Sequence, residues 1–160
     1  MNSGPAPAVS VIIPAYGVTA YIAEALDSVL AQTYTDFEII LVNDGCPDTA
    51  ALEAVLRPYL DRIVYVKKEN GGVSSARNAG IRVARAPLIA LLDGDDAWTP
   101  DYLAVQTSFL REHPQTDIVY SNGVVFGDSR LAGCLAMDLS PSHGEVNFES
   151  LLSWKRGSWA

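Results

Sequence analysis

The chain is poor in several residue types from which active sites are often built. Its 160 residues include two cysteines, Cys46 and Cys134, and two histidines, His113 and His143. Neither cysteine stands in a metal-ligand spacing, and a domain of this size needs no disulfide framework, so the cysteine usage fits a reducing, cytoplasmic setting. No run approaches the roughly eighteen apolar residues of a membrane span. The leader MNSGPAPA has no basic or apolar targeting segment. No GxGxxG follows the first apolar run and no GxxxxGK[ST] occurs, which argues against a dinucleotide-binding Rossmann site and a P-loop.

Positive charge is also scarce and unevenly placed. The formal charge is −8, from 11 Lys and Arg against 19 Asp and Glu, which repels a phosphate backbone and argues against nucleic acid as a partner. The first 56 residues contain seven acidic side chains and no Lys or Arg, whereas seven basic residues fall between Arg57 and Arg85. An anion site is expected to draw on that middle band. With 49% apolar residues, the chain reads as one globular domain burying roughly two-thirds of its unfolded surface.

Four β-rich apolar runs are present: VSVIIP from Val9, FEIILVN from Phe37, IVYVK from Ile63 and LIALLD from Leu88, with starts 28, 26 and 25 residues apart. Such intervals suit strands joined by helices, hence an α/β fold with a mostly parallel sheet. Helical stripes follow: Ile22, Ala25, Leu26 and Val29, with Thr19 as the expected cap; Leu52, Val55, Leu56 and Tyr59, after Asp48; a small-residue helix over Ser74–Arg85; and a helix from about Pro100 to Glu112. DIVYSNGVVF reads as a fifth strand and FESLLSWK as a short helix.

Ligands of parallel sheets bind outside the carboxyl ends of the strands. Those positions hold Pro14, Ala15 and Tyr16; Asn43, Asp44 and Gly45; Glu69 to Gly72; and Asp93, Gly94, Asp95 and Asp96. An aromatic ring, a carboxylate, a glycine turn and a carboxylate cluster along one sheet edge describe a site for an anion and a cation. Three carboxylates in four residues repel one another unless a cation holds them, and hard oxygen ligands select Mg²⁺ or Mn²⁺. The same residues also have plainer readings: an acidic turn, a turn signature at Asp44–Gly45, and an exposed helix face at Arg77 and Asn78.

Four blocks, VSVIIPAY (9–16), EALDSVLAQTYTDFEIILVNDG (24–45), NGGVSSARNAGI (70–81) and LLDGDDAWTPDYL (91–103), resemble the inverting glycosyltransferases of family 2, which have the GT-A fold. The resemblance implies that Pro14, Ala15 and Tyr16 line the nucleobase pocket, with Tyr16 stacking on the base. It implies that Asp44 accepts a hydrogen bond from the base, and that Gly72 and Arg77 lie beside the nucleotide. Asp93 and Asp95 match the DxD motif, with Asp93 toward the ribose and Asp95, helped by Asp96, toward the metal. Asn43 stands where the family frequently carries a second acid, which leaves the base open.

The resemblance further implies a nucleotide-diphosphate sugar as donor, a UDP-sugar first, and transfer to a hydroxyl of a glycan, lipid-linked or other acceptor, as in polysaccharide biosynthesis. The general base is expected downstream of the matched blocks; Asp138, Glu145 and Glu149 lack the surrounding pattern. The expected layout is a disordered leader (1–8), a nucleotide-sugar-binding subdomain (9–126) and the start of an acceptor-side region (127–160), in a protein that associates with membranes if its acceptor is lipid-linked. Two other functions fit part of the pattern: a non-catalytic nucleotide- and metal-binding module, and a phosphatase of the haloacid dehalogenase type built on Asp93 and Asp95.

Overall fold

A computed structural model describes residues 5–139. These residues form two compact units that divide between Asp117 and Ile118. The first holds four strands, β1 (Val9–Ala15), β2 (Phe37–Asp44), β3 (Ile63–Lys68) and β4 (Leu88–Leu91), four α-helices, α1 (Ile22–Leu30), α2 (Thr49–Leu56), α3 (Val73–Val83) and α4 (Tyr102–Glu112), and a 3-10 turn over Arg57–Tyr59.

The strands make one parallel sheet in the order β3-β2-β1-β4. Val9 pairs with Phe37 and Leu88, and Ile12 with Ile40 and Leu91. β1 is buried along its whole length, as its apolar run, interrupted only by Ser10, requires of a central strand covered on both faces. Alternate side chains divide the interior. Val9, Val11, Ile13 and Ala15 join Ile39, Leu41 and the buried residues of α1 and α2 on one face, while Ile12, Ile40 and Val42 meet Ala76 and Ala79 of α3 on the other.

The small-residue stripe of α3 explains its closeness to the sheet. A Cβ at Gly80 would lie 2.5 Å from Ile12 Cγ2, so a bulkier residue would push the helix off. Because the chain steps from β1 to β2 to β3 and then crosses back to β4, with α1 and α3 on opposite faces, the connections diverge at the carboxyl ends of β1 and β4. That is the crevice where such sheets take ligands. The opposite end is pinned by Glu38, which accepts from Ser10 Oγ at 2.7 Å and from the Arg85 backbone N and Nε at 2.8 Å each. Burial raises its pKa, but the Ser10 and Arg85 contacts more than offset this and leave it lowered.

Several local expectations are corrected. Thr19 does not cap α1, because Tyr21 occupies the N-cap position and makes no side-chain cap bond. Pro100 lies ahead of α4, with Asp101 at its N-cap. The run 117–126 is not a strand: an isolated antiparallel bridge, Val124 to Leu135, is what the second unit has instead. Its β-branched residues have the propensity but no neighbouring ladder, and Ile118, Tyr120 and Phe126 stand exposed. A short helix, α5 (Ala136–Leu139), follows. FESLLSWK, Glu145 and Glu149 lie outside the described residues. No helix among the described residues is long and apolar enough to cross a membrane.

Candidate functional site

An open cavity of about 460 Å³ lies at the carboxyl ends of the strands. Pro14, Ala15, Tyr16, Asp44, Gly72, Asp93 and Asp95 line it together. They come from three different strand ends and the turn into α3, so the fold brings together what the chain separates by up to 81 positions. Tyr16 is 54% exposed, so its side chain is accessible to a stacking partner. The first turn of α3, through Val73 and Ala76, completes the wall and turns the positive end of the helix toward the cavity.

Asp44 ends β2 and is almost wholly buried. It pairs with Lys68, its ladder neighbour at the end of β3. It also accepts from the Gly71 backbone N at 3.1 Å and the Gly72 N at 2.8 Å. Burial pushes its pKa up, but Lys68, Gly71 and Gly72 more than reverse this and hold the carboxyl below its ordinary value. The same corner is closed by Asn70 Nδ2, which donates to the Asp44 carbonyl at 3.0 Å. Gly45 has φ +68°, and a Cβ there would fall 2.6 Å from Asn70 N, so both conformation and space require glycine. Asn43 is fully buried. Its amide donates to Thr49 Oγ1 and Tyr65 OH and its Oδ1 accepts from Cys46 N, so it braces the β2–α2 turn and does not line the cavity.

The acidic loop is arranged differently. Asp93 accepts from Arg77 Nη2 at 2.6 Å, with both side chains partly exposed. Arg77 thus meets the site through Asp93 and is absent from the cavity wall, as is Asp96. Burial, then the charges of Asp95 and Asp93, raises the Asp96 pKa. A donor set of carboxylate oxygens fits a hard cation such as Mg²⁺ or Mn²⁺. Among the described residues, however, no three His, Cys, Asp or Glu side chains are placed to hold a metal ion together. A cation at Asp95 would need oxygens from a ligand to fill its shell, as diphosphates supply to Mg²⁺.

Asn70 and Gly94 stand among the strand-end positions named from the sequence, and Val73 lies inside a matched block. Nothing in the sequence marks Lys68, whose role follows from strand register. Asp138 is exposed on α5, and His113 closes α4 with Nδ1 3.0 Å from the Phe109 carbonyl, a structural place.

The model of glycosyl transferase family 2 matches residues 10–134. An uncharacterized glycosyltransferase of Rickettsia felis is 40% identical over 124 residues, covering 78% of this chain and 21% of that protein. Among solved structures, S. aureus TarS 1-349 in complex with UDP-GlcNAc superposes with a TM-score of 0.58 at 27% identity, over 66% of this chain and 32% of that one. The mannosyltransferase PcManGT from Pyrobaculum calidifontis, in complex with GDP-Man and Mn²⁺, gives 0.59 at 27% identity, over 66% and 33%. The chain thus spans about a fifth to a third of these proteins. The fold is GT-A, and the haloacid dehalogenase reading gives way to the glycosyltransferase family. The chain belongs to glycosyl transferase family 2.

Proposed function

We propose that this chain binds a nucleotide-diphosphate sugar, a UDP-sugar first, together with Mg²⁺ or Mn²⁺, and that the whole protein transfers the sugar to an acceptor hydroxyl with inversion. The observation that carries this reading is the single cavity walled by Tyr16, Asp44, Gly72, Asp93 and Asp95. Stacking on Tyr16 and a hydrogen bond accepted by Asp44 hold the base. Asp44, through the Gly71 and Gly72 N–H groups, keeps the turn before α3 in place, so that the helix N-terminus favours the diphosphate. Asp93 and Arg77 border the ribose side. Asp95, with Asp96 beside it, holds the cation, which neutralises the charge that develops on the leaving diphosphate.

Inversion requires a base within hydrogen-bond reach of the acceptor hydroxyl on the face opposite the leaving group. That base is expected in the longer protein, as are an acceptor of glycan or lipid-linked type and any association with a membrane. The relatives support the donor class: their structures carry UDP-GlcNAc and GDP-Man with Mn²⁺.

Calorimetry with UDP, GDP, CDP and ADP, each with and without Mn²⁺, tests the proposal. UDP binding that Mn²⁺ strengthens, and that Asp95→Asn returns to the metal-free level, is expected. A folded chain that binds none of the four more tightly with Mn²⁺ would refute it.

A further inference from the structure

We infer that Gln32 is a positioning residue for the acidic loop at 93–96, acting from the end of α1 on the segment through which the chain leaves that loop. The inference rests on the proposed cation site at Asp95.

Gln32 is 5% exposed, and its amide is engaged at both ends. Nε2 donates to the Thr99 carbonyl at 2.7 Å and the Ser28 carbonyl at 3.1 Å, while Oε1 accepts from the Leu103 N at 2.8 Å. The neighbours of Gln32 continue the attachment. Thr33 N donates to the Pro100 carbonyl at 2.8 Å, and Ser28 Oγ accepts from Trp98 N at 3.2 Å. The Trp98 ring stacks on Tyr102 with centroids 4.4 Å apart. From Trp98 to Leu103 the chain is therefore fastened to α1 at successive backbone groups, beginning two residues after Asp96.

This fastening holds the far side of the loop, as the Leu92 N bond to the Ile12 carbonyl at 3.1 Å and the Arg77–Asp93 pair hold its near side. β4 ends at Leu91, and residues 97–99 have no regular secondary structure. Asp93, Asp95 and Asp96 repel one another, which favours splaying of any loop free to move. One side of the loop is set by β4. The other is set by the contacts of Gln32, Thr33 and Ser28. A buried amide with both ends satisfied is also costly to disturb, since removing it takes the partner from the Leu103 N–H and leaves the Thr99 carbonyl with the Tyr102 N, 3.0 Å away, alone. Small displacements of cation ligands weaken binding steeply.

The test is Gln32→Met, which keeps the volume and removes the amide. UDP affinity is measured by calorimetry with and without Mn²⁺, and bound Mn²⁺ is followed by electron paramagnetic resonance. The expected result is a drop of about tenfold in the gain that Mn²⁺ adds to UDP affinity, with metal-free UDP affinity held within about twofold. A residue that merely braces the fold would lower the melting temperature and leave the Mn²⁺ gain intact, or weaken both affinities equally; either result overturns the inference. If Gln32→Met does not fold, Ser28→Ala decides, with a smaller loss of the same gain expected and an unchanged gain contradicting it. Absence of any Mn²⁺ gain in the unsubstituted chain would overturn the cation site and this inference with it. Retention of the gain in the variants alone would overturn only the role of Gln32.

Discussion

The two acidic ends of the cavity carry the same functional group in opposite electrostatic situations. Asp44 is buried and answered by one ammonium and two backbone N–H groups, and its pKa is lowered. At 93–96 three carboxylates share one guanidinium, on Asp93, and the Asp96 pKa is raised. The first is answered within the fold and fixes a turn. The second carries excess negative charge, where the proposed cation would sit. Carboxylates at two strand ends of one cavity thus differ through their partners, Lys68, Gly71 and Gly72 at one and Arg77 at the other.

The comparison breaks most sharply at Lys68. Lys68→Met leaves the Asp44 carboxylate buried without its counter-charge and should cost about 3 kcal/mol of stability, read by urea unfolding at neutral pH. A cost under about 1 kcal/mol would place Asp44 with the unfinished end.

Acidification gives the next largest effect. Asp44 and Glu38 both have lowered folded-state pKa values, relative to 3.8 and 4.5, so the stability they contribute is present above those values and lost as pH falls through the folded ones. Lys68→Met removes the largest of the contacts that lower the Asp44 pKa, so the stability difference between the two proteins should shrink as pH falls below 3.8 through the lowered folded value, and parallel unfolding curves would argue against the pairing.

Arg77→Met should cost less than about 1 kcal/mol, because its pair with Asp93 is partly exposed and solvent-screened. Thermal melts of the two variants side by side make the contrast direct. The smallest effect is expected for Asp96→Asn. The Asp96 charge is disfavoured by partial burial and by Asp95 and Asp93, but the side chain is exposed and solvent screens the repulsion, so removing it should raise stability by at most about 0.3 kcal/mol. A lowered melting temperature would contradict the repulsion.

Much of this arrangement was legible before the fold. Apolar runs at regular intervals identified the strands, and strand ends in a parallel sheet identified where polar residues matter, which placed Tyr16, Asp44, Gly72, Asp93 and Asp95 at one edge. What was not legible depends on register and partners. Asp44 and Lys68 meet because they are ladder neighbours, which neither residue reveals in sequence. Residues 117–126 have strand propensity without a ladder to join. Gln32 reads as an ordinary polar residue at a helix end until the carbonyl of Thr99, 67 positions away, is found against it.

On the proposed function, the acidic end binds a cation in full only when a diphosphate supplies the missing oxygens. Titration of Mn²⁺ into the chain, followed by electron paramagnetic resonance with and without saturating UDP, tests it most directly. Weak binding without UDP and at least about tenfold tighter binding with it is predicted. Equal Mn²⁺ affinity in both titrations, or none in either, would contradict the account.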